Sequence, residues 1–146
     1  MIRQLTNVDK EVLTRYLKQV DQDFPIPLSE KVDLEEYSDK ILLNGIGFVH
    51  IVEENIAGAI LFYANDLETK MAYISVLSVS SAYRKRGIAQ GLLTTCLQKC
   101  EAMGYQTICL HTHKTNYGAI SLYEKNGFQR FDDGNRPGDW YLERKL

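Results

Sequence analysis

Residues 81–93, SAYRKRGIAQGLL, set Arg84, Lys85 and Arg86 directly before Gly87 and an apolar run. The run reads as a helix over 87–104, with Ile88, Leu92, Leu93, Cys96, Leu97 and Cys100 on one side and Gly104 closing it. A helix N-terminus already carries about half a positive charge from its aligned peptide dipoles. Three more cations there are unfavourable unless an anion lies between them and the helix. A phosphate suits such a mouth, because the first backbone N–H groups of a helix lack intrahelical partners and point outward together. Gly87 and the small Ala89 leave the backbone open to a diphosphate, and the cations supply charge that desolvates well around phosphate. Neither GxxxxGK[ST] nor GxGxxG occurs, which argues against a P-loop and a Rossmann dinucleotide site. Taken alone, the stretch also describes an exposed basic helix start with Gly87 there for packing.

The flanking segments supply a frame. MIRQL (1–5) reads as a first strand, followed by a helix through Val12, Leu13, Tyr16, Leu17 and Val20, capped by Asn7 or Asp9. DQDFPIPLSEK (21–31) breaks it, with Pro25 and Pro27 forcing an extended loop. Asp33 caps a second helix, LEEYSDKILLN, that Gly45 ends. Residues 47–54 and 56–66 read as a hairpin with a tight turn near Asn55, and 70–80 as a fourth strand. After the 87–104 helix come a fifth strand (105–113), a helix (116–126) closed by Gly127, a strand FQRFDD, the turn GNRPGD and a last strand WYLERKL. Strand, helix, strand over 70–113 is a crossover, so the fourth and fifth strands should be parallel and the other pairs mostly antiparallel. The expected fold class is α/β (α+β): one mixed sheet in a single domain over residues 1–146, with helices packed on it.

Composition narrows the function classes. A net charge of −2 disfavours broad nucleic-acid binding, so no nucleic-acid partner is expected. Cys96, Cys100 and Cys109 are odd in number and lack CxxC spacing, which argues against a disulfide framework or zinc site. They read as small buried hydrophobes. No apolar run is long enough to span a membrane and the N-terminus has no signal-peptide core, so no membrane partner and a cytoplasmic location are expected.

Arg84-x-x-Gly87-x-Ala89 after one strand, and Asn116…Ala119…Leu122-Tyr123-Glu124-Lys125-x-Gly127-Phe128 after the next, resemble the GCN5-related N-acetyltransferase (GNAT) superfamily. The resemblance runs from the first strand to about Trp140. It implies acetyl-CoA as cofactor, helices on both faces of the sheet, and a splay between the parallel strands at Ile74–Val79 and Thr107–Leu110 that admits the thioester. The loop from Arg84 through Lys85, Arg86, Gly87 and Ile88 to Ala89 would wrap the pyrophosphate. Leu77, Ser78 and Val79 would bind the pantetheine arm as an added strand, with the Leu77 N–H at the acetyl carbonyl. Asn116 and Ala119 fall in the same motif, and Tyr123 matches the tyrosine that protonates the departing thiolate.

Many relatives take the amine's proton with a carboxylate on the fourth strand, but YISVLSV has none. His111, closest to the splay, is the alternative base, with His113 on the same strand face. The two histidines have no third ligand nearby, so no metal is expected. His50 reads as structural. The acceptor pocket implied by the resemblance draws on Asp21, Asp23, Phe24, Tyr63, Asp66, Tyr73, His113 and the hairpin DDGNRPGDWY (132–141), with Asp21 and Asp23 placed to receive a cationic amine. The expected acceptor is a primary amine of a small molecule, attacked directly in a ternary complex. A protein N-terminus or lysine, and a non-catalytic acyl-CoA sensor, are the rival readings. A homodimer is compatible with the family.

Overall fold

The computed structural model describes all 146 residues. Seven strands form one sheet: β1 (Ile2–Gln4), β2 (Ile46–Val52), β3 (Asn55–Tyr63), β4 (Met71–Val79), β5 (Thr107–His113), β6 (Gln129–Asp132) and β7 (Asp139–Lys145). Their order is β1-β2-β3-β4-β5-β7-β6, with only β4 and β5 parallel, as the crossover requires. Helices α1 (Lys10–Val20) and α2 (Leu34–Asn44) cover one face of β2–β4. Helix α3 (Ile88–Ala102) and the C-terminal part of α4 (Tyr117–Lys125) bury the other. No helix is long and apolar enough to cross a membrane.

The two layers follow from periodicity. In α1, Leu13, Tyr16, Leu17 and Val20 recur at i, i+3, i+4 and i+7 and pack against Val49, Leu61 and Val76. Val12, grouped with them on sequence grounds, lies off that stripe and is exposed. On the opposite face Leu92, Leu93, Cys96 and Cys100 pack against Ile60, Phe62, Ile74 and Ile108. All three cysteines are buried and free.

Helix ends are set by specific partners. The Asp33 carboxylate accepts from the Glu36 N–H at 3.0 Å, as its cap position predicts. Asp9 precedes α1, but its carboxylate turns back to Arg3 (3.0 and 3.1 Å) and the Thr6 N–H (2.7 Å) instead of capping. Its pKa is lowered, chiefly by the Arg3 hydrogen bond. The folded carboxyl therefore titrates below the unfolded value of about 3.9. Its stabilising contribution is complete above that value and is lost as pH falls through the folded pKa. Asp9→Asn should flatten the acid limb of a pH–stability curve while Asp39→Asn, at an exposed pair with Lys10, should leave it nearly unchanged. Gly45 ends α2 with φ −118°, not in the left-handed form expected of a glycine stop. Space is the reason: a Cβ there would lie 2.7 Å from the Phe62 carbonyl oxygen. The hairpin turn falls on Glu53 and Glu54, both at positive φ (50° and 68°), just before Asn55.

One irregularity positions everything that follows. Leu61 pairs with Val76 and Phe62 with Ile74, so Ser75 is an extra residue in β4. Such a bulge bends its strand and changes which side chains face each layer. Ahead of it Ala72 and Ile74 face α3; beyond it Val76 packs under α1 and α2, and Leu77 returns to the α3 side.

Candidate active site

Pairing of β4 with β5 covers Met71–Thr107, Ala72–Ile108 and Tyr73–Cys109 and then stops, although β4 continues to Val79 and β5 to His113. The expected splay is therefore present. The bulge at Ser75 turns β4 away at the point of separation. Two tyrosines hold the departing strand. Tyr37 on α2 donates to the Ser75 Oγ at 2.6 Å, and Tyr16 on α1 bonds the Ser78 Oγ at 2.9 Å. Burial pushes the Tyr16 hydroxyl up to about 12, against the Ser78 bond, so it stays protonated. Tyr37→Phe should cost about 1 kcal/mol by denaturant titration, the worth of one such bond. Amide exchange should quicken along 74–79 in that variant.

The ladder also determines which peptide groups face the gap. Ser80 N donates to Ala57 O at 2.8 Å, which makes that a hydrogen-bonded pair. Pairs alternate along an antiparallel ladder. Leu77–Ile60 and Val79–Gly58 are therefore non-bonded pairs, and the N–H and C=O groups of Leu77 and Val79 point away from β3 into the gap, where the Val79 carbonyl accepts from the Arg84 Nε at 3.3 Å. An extended ligand entering there meets a strand edge.

The gap opens on a groove of about 720 Å³. It runs from the helix mouth, past Leu77–Val79, to Asn116 and Ala119 on the α4 side. Of the mouth residues, Arg84, Lys85, Gly87, Ile88 and Ala89 line it. Arg86 does not; its guanidinium lies 5.4 Å from the Tyr83 ring centroid. Lys85 and Gly87 both adopt positive φ (63° and 76°). Alternation of this kind turns successive N–H groups into an anion-binding concavity. A Cβ on Gly87 would meet nothing within 4 Å, so the glycine is there for its left-handed backbone and not for packing. Asn116 does not cap α4 with its side chain, which donates to the Thr112 Oγ at 3.2 Å.

A second, smaller cavity of about 110 Å³ continues inward between β4 and β5. Phe24, Leu77, Asn116 and Ala119 border both spaces. Tyr123 closes the inner one, 3 % exposed, with its ring edge-on to Phe128 at 5.2 Å. Burial raises its pKa, and no hydrogen bond opposes the shift. His111 and His113 both line the cavity. His113 is tied into the turn after β5, its Nδ1 facing the Thr115 Oγ at 2.7 Å and the Thr115 N–H at 3.2 Å.

His111 is engaged at both nitrogens. Its Nε2 lies 2.9 Å from the Asp133 carboxylate and its Nδ1 3.2 Å from the Tyr73 hydroxyl. The His111 bond lowers the Asp133 pKa, so the acid is ionised and can only accept. The network thus assigns the proton to Nε2 and leaves Nδ1 to accept from Tyr73. Asp133 was not singled out individually from sequence, although it falls in the 132–141 hairpin that the family resemblance sets at the acceptor site. It lies in the turn before the last strand, and only the fold brings it to β5.

The acceptor residues expected from sequence divide. Asp21 is buried and accepts from the Ser29 N–H and hydroxyl, stapling the 21–31 loop, so it is not placed to receive an amine. Asp23 reaches the groove mouth, where it pairs with Arg84 at 3.4 Å. Tyr63 lies outside the cavity lining, under Lys40 at 5.7 Å. Tyr73 also lies outside the lining and reaches the cavity only through His111. His50 contacts the N-terminal amine, with its Nδ1 buried and unpartnered.

Residues 13–128 match the acetyltransferase (GNAT) family. The chain is 36 % identical over 64 residues to the rat N-acetyltransferase family 8 member 3, a match covering 44 % of this chain and 28 % of that protein. The chain thus spans little more than a quarter of the length of the curated relatives it matches. Among solved structures, a GNAT-family acetyltransferase from Staphylococcus aureus Mu50 superposes with a TM-score of 0.80 at 23 % identity, covering 100 % of this chain and 99 % of that one. The PaiA N-acetyltransferase of Thermoplasma acidophilum, in complex with coenzyme A, superposes with a TM-score of 0.79 at 20 % identity, covering 100 % and 98 %. With the family pattern spanning most of the chain and the splayed β4–β5 pair beneath it, this protein belongs to the GNAT acetyltransferase family.

Proposed function

We propose that this chain transfers an acetyl group from acetyl-CoA to a primary amine by direct attack in a ternary complex. The observation that carries the reading is the gap-facing edge of Leu77 and Val79, continuous with the anion-binding mouth at Lys85–Ala89. The mouth and Arg84 suit a diphosphate, and the strand edge suits an amide-bearing arm. Bound there, acetyl-CoA supplies an activated acyl group. The Leu77 N–H is set to donate to oxygen as charge builds on it, worth a few kcal/mol in the transition state. Tyr123 holds a phenol proton beside the gap for the departing sulfur. His111, which lines the inner cavity, takes the amine's proton, and Asp133 stabilises the resulting imidazolium.

The acceptor is a small molecule in this reading. Phe24, Pro25, Ile26, Leu28 and Lys31 of the 21–31 segment and its flank line the inner cavity and restrict its size. Calorimetric titration with CoA, beside CoA release across aminosugars, polyamines, amino acids, aminoglycosides and short peptides, tests the reading. Binding with turnover on a small amine is the expected result. Turnover on peptides alone would replace the acceptor class. Binding without turnover on any amine would favour a sensor.

A further inference from the structure

We infer that Arg84 exchanges partners during cofactor binding, from Asp23 and the Val79 carbonyl to the diphosphate, and so couples the two halves of the cofactor site. The inference rests on the acetyl-CoA reading proposed above and adds how the groove fills.

Asp23 is the one acid that lines the groove; the other charged residues of the lining are Arg84, Lys85 and Lys125. Lys85 and Lys125 form no ion pair. Asp23 is set against Arg84, its carboxylate 3.4 Å from Nη2. The same guanidinium donates from Nε to the Val79 carbonyl at 3.3 Å. That carbonyl belongs to the strand edge that faces the gap. One side chain therefore ties together the 21–31 segment, the end of β4 and the approach to the helix mouth.

Both contacts exchange readily. The Arg84 and Asp23 side chains are half-exposed, and ion pairs at such exposure are weak. A guanidinium bonds phosphate oxygens through paired, charge-assisted hydrogen bonds, which are shorter and stronger. A diphosphate at the mouth draws Arg84 to itself and repels the carboxylate left behind. Moving the guanidinium also withdraws Nε from Val79. The carbonyl is then an unpaired acceptor on a strand edge, ready for an amide N–H of an extended arm. An arm that arrives alone has to displace Nε first. The linkage is reciprocal, so an arm bonded to Val79 favours the diphosphate by the same factor.

The two halves are tested apart. ADP carries a diphosphate without the arm, and pantetheine carries the arm without a diphosphate. Their binding, singly and together, is measured by calorimetry and chemical-shift titration, with CoA titrated in parallel. Saturating ADP should tighten pantetheine binding about five-fold. In Arg84→Ala, ADP alone should bind more weakly and pantetheine alone more tightly, and the coupling should vanish. Opposite signs for the two halves are what a merely loosened loop would not produce. Asp23→Asn, which leaves Arg84 in place, should tighten ADP and CoA about three-fold. The inference is overturned if CoA binds while its halves bind independently or not at all. Pantetheine weakened by Arg84→Ala, or ADP no tighter on Asp23→Asn, overturns it too. Failure of CoA itself to bind would instead remove the acetyl-CoA reading beneath it.

Discussion

Tyr123→Phe should lower kcat about a hundred-fold and leave CoA affinity unchanged. A positioned general acid contributes about 10²–10⁴-fold, and the Tyr123 phenol lies at the inner end of the gap, where the proposed reaction needs that acid. Stability offers an internal control. The residue is 3 % exposed and no hydrogen bond is among the causes of its shift, so removing the hydroxyl leaves no protein group unpaired. The thermal midpoint should stay level or rise slightly. A variant with normal kcat would reduce Tyr123 to a packing residue against Phe128 and Cys96. Steady-state kinetics and a melting curve on one preparation separate the outcomes.

His111→Ala should lower kcat/KM by about two orders of magnitude, also without affecting CoA binding. Asp133→Asn should cost less, about ten-fold. The amide oxygen still accepts from Nε2 and keeps the ring in the same tautomer, but the negative charge that stabilises an imidazolium is gone. Tyr73→Phe should fall between them, because it removes the hydroxyl that bonds Nδ1 at 3.2 Å. The ordering is the informative result. Asp133→Asn more damaging than His111→Ala would assign the carboxylate a direct role and sink the relay.

These residues also show what could be read before folding. The helix mouth, the crossover and the Asp33 cap rest on local chemistry, and each appeared near its expected position. Tyr123 was recognisable because its motif is contiguous. The bulge at Ser75 was not, since nothing in YISVLSV marks which residue lacks a partner; β3 decides that from across the sheet. Asp133 lies 22 residues from His111, in a turn rich in glycine and aspartate where any acid reads as solvated. Asp21 and Asp23 show the complementary case. Two acids beside an aromatic residue resemble an amine site, whereas Ser29 and Arg84 satisfy them through contacts that sequence order does not reveal.

The short β4–β5 ladder has a mechanical consequence. Three residue pairs join the β1–β4 half of the sheet to the β5–β7 half, against seven between β5 and β7. Along that seam the two halves share a core beneath α3 but few ladder bonds, and a ligand lying in it acts as a stitch. At a free concentration a hundred times its Kd, such a ligand adds about 2.7 kcal/mol to the folded state. Protection from limited proteolysis should then extend to both halves of the sheet, far beyond the residues that touch the ligand. The folded fraction of the chain thus rises with the concentration of whatever nucleotide-linked ligand fills the seam.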